Sequence, residues 1–290
     1  MKLCRYNDDR LGVVRQGLVH DITAVQTDIR NTSAYAMMGD PVIAALPQWR
    51  TKMEHAADQV QGVALASVKL LCPVVRPSKV MAAPTNYKKH IEEMQKRREG
   101  QPSKMGPNIG TAGIFLKANS SLVGPSEGIA LRFPDRRNEH EVELVAVIGQ
   151  KGTDISQANA LNHIAGYCLG LDMTARGPED RSFRKSIDSY SVAGPWFVTA
   201  DEVPNPNDVP LHLFVNDEQK QNANTSDMVY SMERLIEFAS SFYTLHPGDL
   251  YFTGTPEGVS PVVPGDVVRV TSLPALGELV IQAHAHKIGG

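Results

Sequence analysis

The chain has 290 residues, of which 42% are hydrophobic and 21% charged, and its formal net charge at pH 7 is −3. This length and composition are typical of a globular protein with one large domain or a small domain joined to a larger one. The nearly balanced charge excludes a general basic surface for nucleic acid, and the sequence has no run of about 20 apolar residues that would span a bilayer.

Location and thiol chemistry follow from the N-terminus and the cysteines. Met1–Arg10 has no apolar stretch resembling a signal peptide. Cys4, Cys72 and Cys168 are far apart and lack metal-ligand spacing, so they fit small buried residues in a reducing compartment. We therefore expect a cytoplasmic protein that binds neither nucleic acid nor membranes.

The first 75 residues form a minor unit. Its predicted elements are strands over Met1–Tyr6 and Leu11–Val25 with glycines 12 and 17 at turns, helices over Ser33–Leu46 and Trp49–Val60, and a strand over Val68–Val75. Prolines 73, 77 and 84 mark the passage into the remainder. We place the domain boundary near residue 76, between a small N-terminal α+β domain (1–75) and a catalytic domain (76–290).

The second part is rich in strands. They are predicted over Glu141–Gly149, Gly166–Thr174, Trp196–Thr199, Leu211–Asn216, Asp249–Thr253, Asp266–Ser272 and Glu278–Ala283. Helices are predicted over Tyr87–Glu99, Ser156–His163 and Met228–Tyr243, the last capped by Asp227, and the Gly- and Pro-rich stretch Gly100–Thr111 is predicted to be a mobile loop. Many strands with few, scattered helices favour an α+β, mainly β fold over a doubly wound sheet.

Paired carboxylates stand where a strand enters the interior. Glu139, Glu141 and Glu143 share one face of a strand that turns apolar on both faces afterwards. A buried carboxylate without a partner is costly, and a cation would resolve that cost. The alternative is a strand that starts at the surface and pairs its carboxylates with Lys and Arg.

A third carboxylate, Asp172, ends the apolar strand that follows. It could cap a turn, or it could join Glu141 and Glu143 in an all-oxygen site. Such a site suits Mg²⁺, Mn²⁺ or Ca²⁺ rather than a thiolate-preferring metal.

His90 and Glu93 lie three residues apart on a predicted helix and can touch. A carboxylate that supports an imidazole is the arrangement of a general base toward water, although such pairs also occur on ordinary surfaces. The loop over Gly100–Thr111 could close over this pair as a lid.

Two cations and one turn are candidate substrate-binding groups. Arg176 and Lys185 follow Asp172 and could pair with a substrate carboxylate or an oxyanion, or they could be ordinary loop charges. In the turn Thr253-Gly-Thr-Pro256, backbone N–H groups and the Thr255 hydroxyl could hold an anion, or the segment could be a plain turn.

Together these segments resemble the fumarylacetoacetate hydrolase family, metal-dependent enzymes that act on C–C bonds of oxo acids. The matching motifs are Asn86-Tyr-Lys-Lys-His90 with Glu93, Phe115-Leu-Lys117, Glu141-Val-Glu143-Leu, Leu171-Asp-Met-Thr-Ala-Arg176, Lys185-Ser186, Gly194-Pro-Trp196 and Thr253-Gly-Thr-Pro256. They occur in family order, from about residue 80 to 256.

The resemblance implies a twisted, mixed β-roll catalytic domain, a homodimer, and a place in aromatic compound catabolism. It implies metal ligands, a water-activating pair and a catalytic lysine: Glu141, Glu143 and Asp172 for Mg²⁺ or Mn²⁺ (Ca²⁺ in crystals), His90 with Glu93, and Lys185. It further implies substrate contacts from Tyr87, Lys117, Arg176, Glu179, Gly254 and Thr255. Glu179 departs from the family pattern, because many relatives have Gln there, and the short stretch from Arg176 to Lys185 favours the acylpyruvate hydrolase-like branch.

We therefore predict hydrolysis of a 2,4-dioxo acid of acylpyruvate or fumarylpyruvate type. His90, held by Glu93, takes a proton from water, which attacks the 4-oxo carbon, and the C3–C4 bond breaks to give pyruvate, by way of its enolate, and a carboxylic acid. Decarboxylation of oxaloacetate or isomerisation of a hydroxydienoate reaches the same enolate, and a non-catalytic metal-binding scaffold is a further alternative. The His90–Glu93 pair favours hydrolysis, since neither alternative reaction needs activated water.

Overall fold

The computed structural model describes residues 1–32, 38–96 and 109–286. Its strands are β1 Lys2–Tyr6, β2 Arg10–Arg15, β3 Leu18–Asp21, β4 Val63–Ala64, β5 Leu70–Leu71, β6 Val80–Ala82, β7 Phe115–Lys117, β8 Leu122–Val123, β9 Ile129–Leu131, β10 Asn138–Glu139, β11 Val142–Ile148, β12 Ile164–Asp172, β13 Thr174–Ala175, β14 Ser191–Thr199, β15 Pro210–Val215, β16 Glu218–Asn224, β17 Leu250–Phe252, β18 Val267–Thr271 and β19 Glu278–Ala285. Its α-helices are α1 Thr23–Thr32, α2 Pro41–Asp58, α3 Lys88–Lys96, α4 Ile109–Ala112, α5 Gln157–Ala160, α6 Arg181–Lys185 and α7 Met232–Ser240.

The largest sheet in the described residues contains twelve strands. Ten of them follow the order β4-β3-β2-β1-β14-β12-β11-β17-β6-β7, with β5 beside β1 and β8 beside β14. Most pairs are antiparallel, but β6 and β17 are parallel, as are β8 and β14. Because β1 pairs with β14, the first strands of the chain extend the main sheet, and the boundary near residue 76 stays a prediction.

A second sheet of five strands runs in the order β16-β15-β18-β19-β9, and β10 pairs with β13 at the side. Strands β9 and β19 are parallel and the other neighbours in this sheet are antiparallel. These mixed sheets, with few helices around them, confirm the predicted α+β, mainly β fold class. In the described part of the chain, no helix is long and apolar enough to cross a membrane.

Strand β11 lies at the centre of the core and alternates between its two faces. Leu144, Ala146 and Ile148 belong to one buried cluster, while Val145 and Val147 belong to the cluster beneath α1 and α2. The sequence pattern predicted this alternation. Full burial of one such side chain contributes about 1.5–3 kcal/mol, so the strand is held firmly just where its carboxylates begin.

The N-terminal predictions need two corrections. Leu11–Val25 is not strand throughout, because helix α1 begins at Thr23, whose N–H donates to Asp21 Oδ1 at 2.8 Å. Gly12 lies within β2 and not in a turn. A Cβ at this position would lie 2.5 Å from Val19 Cγ1, so close packing against β3 explains the glycine.

The sequence predicted two helices with a break between Leu46 and Trp49, but the structure has one continuous helix, α2, across this region. It begins after Asp40, whose Oδ1 accepts from Val42 N at 2.9 Å and Ile43 N at 3.3 Å, and it continues through Pro47. Pro47 removes one helix hydrogen bond, yet the helix continues to Asp58 with Met53 and Ala57 buried beyond the proline. The first predicted helix includes residues 33–37, which lie outside the described residues.

Other element bounds also differ from prediction. The strand predicted over Val68–Val75 is reduced to β5, which pairs only briefly with β1. Helix α7 begins after Ser231, which accepts from Arg234 N at 3.3 Å, while Asp227 ends a short 3₁₀ turn instead of capping the helix. The predicted loop over Gly100–Thr111 lies outside the described residues up to residue 108, and its last residues open helix α4.

Candidate active site

Three carboxylates meet because β11 and β12 are antiparallel neighbours. Val142 pairs with Leu171, and Asp172 N donates to Glu141 O at 2.9 Å, so the start of β11 lies beside the end of β12. Glu141, Glu143 and Asp172 each offer an oxygen within 4.8 Å of the others, and all three are buried. The side chains that the sequence predicted as metal ligands therefore lie together.

Glu143 is fixed by the turn after β17. Gly254 N donates to its Oε2 at 2.7 Å. Gly254 has φ +98°, and a Cβ there would lie 2.7 Å from Asn86 Cβ, so only glycine fits this approach. Burial raises the pKa of Glu143 well above its ordinary value, and the neighbouring charge of Asp172 raises it further.

Two lysines lie against the other two carboxylates. Lys185 Nζ donates to Glu141 Oε2 and to Asp172 Oδ2, each at 2.7 Å. Lys117 Nζ donates to Asp172 Oδ1, and to Tyr190 O at 2.8 Å. Burial alone would raise the pKa of Glu141, but the charges of Lys185 and Arg176 prevail and lower it to about 2.

The donor set fits a hard divalent cation. It consists of carboxylate oxygens, in a buried position where three negative charges oppose one another. Burial, together with the charges of Asp172 and Glu141, raises the pKa of Glu143, and the charge of Lys185 lowers it only in part. A bound cation would stabilise the charged form of all three carboxylates, which the protein alone does not do.

His90 and Glu93 form the predicted contact on helix α3. His90 Nδ1 lies 3.2 Å from Glu93 Oε2, and the imidazole is 5% exposed. Asn86 anchors the start of this helix, because its Nδ2 donates to Thr253 O at 2.9 Å and to Tyr230 O at 3.1 Å. The same residue therefore positions the dyad and the turn that fixes Glu143.

One cavity contains most of these groups. Its lining residues are Ala83, Pro84, Thr85, His90, Met94, Phe115, Glu141, Asp172, Arg176, Arg181, Arg184, Lys185 and Thr255. Thr255 Oγ1 accepts from Gln221 Nε2 at 2.9 Å, which leaves its own hydroxyl proton for a further acceptor. The imidazole, the ammonium group of Lys185 and two of the carboxylates thus face a common space.

The other predicted substrate contacts have different positions. Lys117 and Gly254 lie behind the carboxylates and bond to them, and Tyr87 is fully buried. Glu179 accepts from Arg136 Nη1 at 3.0 Å and Nη2 at 2.6 Å, and these hydrogen bonds lower its pKa. Neither Tyr87 nor Glu179 is among the cavity-lining residues, so a role in direct substrate contact stays a prediction for both.

Arg176 is tied to the carboxylate cluster. It donates to Glu139, and its Nη2 lies 3.5 Å from Glu141 Oε1. Glu139 also pairs with Arg137 at 2.5 Å. Arg176 therefore reaches the cavity with much of its charge already matched by buried carboxylates.

Sequence reasoning missed two supporting residues. Thr174 Oγ1 donates to Glu141 Oε1 at 2.9 Å, and Gln221 Oε1 accepts from Val142 N at 3.0 Å. Thr174 stands inside the Leu171–Arg176 motif, but no chemistry distinguishes it there. Gln221 lies in the polar strand β16, where a buried amide cannot be told from its exposed neighbours by pattern.

A family model for the C-terminal domain of fumarylacetoacetate (FAA) hydrolase matches residues 79–282. The chain belongs to this family. It is 46% identical over 284 residues to a maleylpyruvate hydrolase from Aquipseudomonas alcaligenes, covering 97% of this chain and 98% of that relative. It is 35% identical over 217 residues to a mitochondrial oxaloacetate tautomerase, fahd2, from Xenopus laevis, covering 70% of this chain and 65% of that relative.

A solved structure of this FAA hydrolase family is similar over the whole chain. It is the crystal structure of maleylpyruvate hydrolase from Sphingobium sp. SYK-6 in complex with manganese (II) ion and pyruvate. The TM-score is 0.83 at 34% sequence identity, and the match covers 99% of this chain and 100% of that one. These findings confirm the predicted family and fold class and the prediction that the chain is an enzyme.

Proposed function

We propose that this enzyme is a divalent-metal-dependent hydrolase that cleaves the C3–C4 bond of a 2,4-dioxo acid of maleylpyruvate type. The observation that carries the proposal is that His90, supported by Glu93, lines the same cavity as Glu141, Asp172 and Lys185. The two similar maleylpyruvate hydrolases support the substrate class. The products are pyruvate and a carboxylic acid.

Glu141, Glu143 and Asp172 are the residues that would hold the cation. We propose Mg²⁺ or Mn²⁺, since both prefer oxygen ligands and the similar Sphingobium enzyme contains manganese. When bound, the cation supplies Lewis-acid polarisation of the 2-oxo acid.

His90 is the general base of the proposed reaction. Its Nδ1 faces Glu93, so Nε2 is the nitrogen that accepts a proton from water, and Glu93 stabilises the imidazolium that forms. The resulting hydroxide attacks the 4-oxo carbon. Near-complete burial of the imidazole limits competing solvent.

Lys185 and Arg176 stabilise the charge that develops on the 4-oxo oxygen. Lys185 is held by two carboxylates and has a third N–H to offer, and Arg176 lines the same cavity. Collapse of the tetrahedral intermediate breaks the C3–C4 bond and leaves its electron pair on the pyruvate fragment. The proton taken by His90 then returns to C3, which completes pyruvate.

Oxaloacetate chemistry is the second candidate. A tautomerase is among the relatives, and decarboxylation or isomerisation of an oxo acid would use the same carboxylates. None of these reactions adds water to a carbon, so the His90–Glu93 pair favours hydrolysis over them.

Turnover in H₂¹⁸O separates the two candidates. If the reaction is hydrolysis, the carboxylic acid released from the acyl side should contain one ¹⁸O atom. One pyruvate should form for each substrate molecule consumed. Consumption of the dioxo acid without ¹⁸O in that product would overturn the proposed hydrolysis. Oxaloacetate, run in parallel, reports tautomerisation by its enol absorbance and decarboxylation by pyruvate.

We further propose a homodimer that works in the cytoplasm, on substrates from aromatic compound catabolism. Phe242 at the end of α7 is 66% exposed, and its ring lies 5.3 Å from that of Phe238, an apolar surface that a second copy would cover. The three free cysteines are all buried, which suits a reducing compartment. Sedimentation of the wild type and of Phe242→Ser tests the dimer, which the substitution should weaken.

A further inference from the structure

We propose that Arg184 binds a second carboxylate, at the far end of the substrate's acyl chain, and so makes the enzyme selective for dicarboxylic dioxo acids. This inference rests on the proposed hydrolysis and assigns the part of the substrate beyond the 4-oxo carbon. Arg184 is not one of the proposed metal ligands, is not part of the His90–Glu93 pair, and is not one of the two cations proposed to stabilise the oxyanion.

Arg184 is a half-buried cation fixed by backbone carbonyls. Its Nε donates to Glu179 O at 2.9 Å and its Nη1 donates to Ala175 O at 3.2 Å. The side chain lines the cavity that also contains Lys185. Burial lowers the pKa of Arg184 and the charge of Arg176 lowers it further, and the more distant carboxylates of Glu141, Glu179 and Asp180 offset this only in part.

No carboxylate of the described residues forms an ion pair with Arg184. Three other arginines of this region have carboxylate partners: Arg176 pairs with Glu139, Arg136 with Glu179, and Arg132 with Asp188. Carbonyl oxygens orient a guanidinium group without cancelling its charge. Two of its five N–H groups are used, which leaves donors for a carboxylate in the planar geometry that arginine favours.

The charge of the cavity also fits a dianion. With a divalent cation bound, Glu141, Glu143 and Asp172 would carry three negative charges, and the cation and two lysines would exceed them by one. Arg184 adds a second positive charge without an anion in the described residues. A 2,4-dioxo acid with one carboxylate at each end supplies two negative charges.

Phe115 supplies the surface between the two ends of such a substrate. Its ring lies 5.7 Å from Lys185 Nζ and 5.5 Å from the guanidinium carbon of Arg181. Phe115 therefore forms an apolar wall beside α6, which carries Arg184. The acyl carbons of the substrate would lie along this wall, with C4 toward Lys185 and the distal carboxylate toward Arg184.

The test compares two substrates on Arg184→Gln: maleylpyruvate, which has a distal carboxylate, and acetylpyruvate, which has a methyl group. Loss of a charge-assisted carboxylate contact predicts a fall of about 100-fold in kcat/KM for maleylpyruvate. For acetylpyruvate we expect a fall of at most about threefold, on the same argument. Arg132→Gln removes an exposed arginine outside the cavity and serves as the matched control.

Binding of maleate to the metal-free protein provides a readout that is independent of turnover. The wild type and Arg132→Gln should bind maleate more tightly than acetate in calorimetry, Arg184→Gln should lose that preference, and Arg184→Lys should keep part of it. Unchanged maleate binding in Arg184→Gln, or equal loss of activity on both substrates, would overturn the inference while the hydrolase function stands. A wild type that cleaves neither substrate but binds maleate through Arg184 would refute the proposed function and retain the carboxylate site.

Discussion

Lys185 joins Glu141 to Asp172, with its Nζ 2.7 Å from an oxygen of each. Lys117 contacts the other oxygen of Asp172 from behind. The two ammonium groups hold the carboxylates in place within the folded protein, and Lys185 also faces the cavity. One lysine thus holds two of the proposed metal ligands and also faces the cavity of the proposed reaction.

Replacement of Lys185 by Met separates these two roles. Without metal, the variant should lose about 3–5 kcal/mol of unfolding free energy, because buried carboxylates lose their partner. Mn²⁺ should restore most of the thermal stability, while kcat stays about 100- to 1000-fold below wild type because an oxyanion contact is missing. Lys151→Met, at an exposed lysine, is the control. Wild-type kcat in Lys185→Met would refute the catalytic role.

The proposed water-activating role of His90 and Glu93 is tested by a second set of variants. His90→Ala should lower kcat by about 100-fold or more with Mn²⁺ affinity retained, because general-base catalysis contributes 10²–10⁴-fold. Glu93→Gln should have a smaller effect in the same direction. Glu92→Gln, on an exposed position of the same helix, should match the wild type. Steady-state kinetics and Mn²⁺ titration check this, and undiminished hydrolysis by His90→Ala would exclude the proposed base.

The backbone N–H of Gly254 should affect metal binding, because it donates to Glu143. Gly254→Ala places a Cβ 2.7 Å from Asn86 Cβ and must move the N–H that bonds to Glu143. Loss of that charge-assisted hydrogen bond should weaken Mn²⁺ binding by about tenfold or more. Gly265→Ala shares a positive φ of +102° but meets no atom within 4 Å, so it should lose some stability with unchanged Mn²⁺ affinity. Equal Mn²⁺ affinities in the two variants would contradict this role.

His140 predicts how stability depends on pH. Burial lowers its pKa to about 4, whereas the unfolded chain has a value of about 6.5. Between these values the unfolded state binds a proton that the folded state does not, so stability falls as pH falls from about 6.5 to 4, by up to about 3 kcal/mol. Denaturant unfolding of the metal-free protein should show this loss in wild type, relative to His140→Gln. Parallel pH curves for the two proteins would refute it.

The sequence was informative where a pattern spans a whole strand. The alternation of Val142 to Ile148 predicted β11 and its two buried faces, and Asp172 at the end of an apolar run predicted the third carboxylate. Antiparallel pairing of those two strands is the step that brings the three carboxylates together, and the sequence did not predict it.

Other features of the fold and the site depend on tertiary contacts, which a local sequence pattern does not reveal. Asp227 is a good capping residue, yet Ser231 caps the helix because Met228 pairs with Tyr87 across the molecule. Arg184 is one of several charges in a basic stretch, and only the fold shows that its carbonyl contacts leave it without a carboxylate partner in the described residues. Tertiary packing therefore selects among residues that look alike in the sequence.

Turnover of maleylpyruvate is the most direct test of metal-dependent cleavage of a 2,4-dioxo acid by this enzyme. The reaction is followed by loss of enol absorbance and by pyruvate release, first with Mn²⁺ or Mg²⁺ and then with excess EDTA. The proposed function predicts one pyruvate per substrate with metal and none with EDTA. Absence of pyruvate at every metal concentration, while oxaloacetate is consumed with the same metal dependence, would contradict the account.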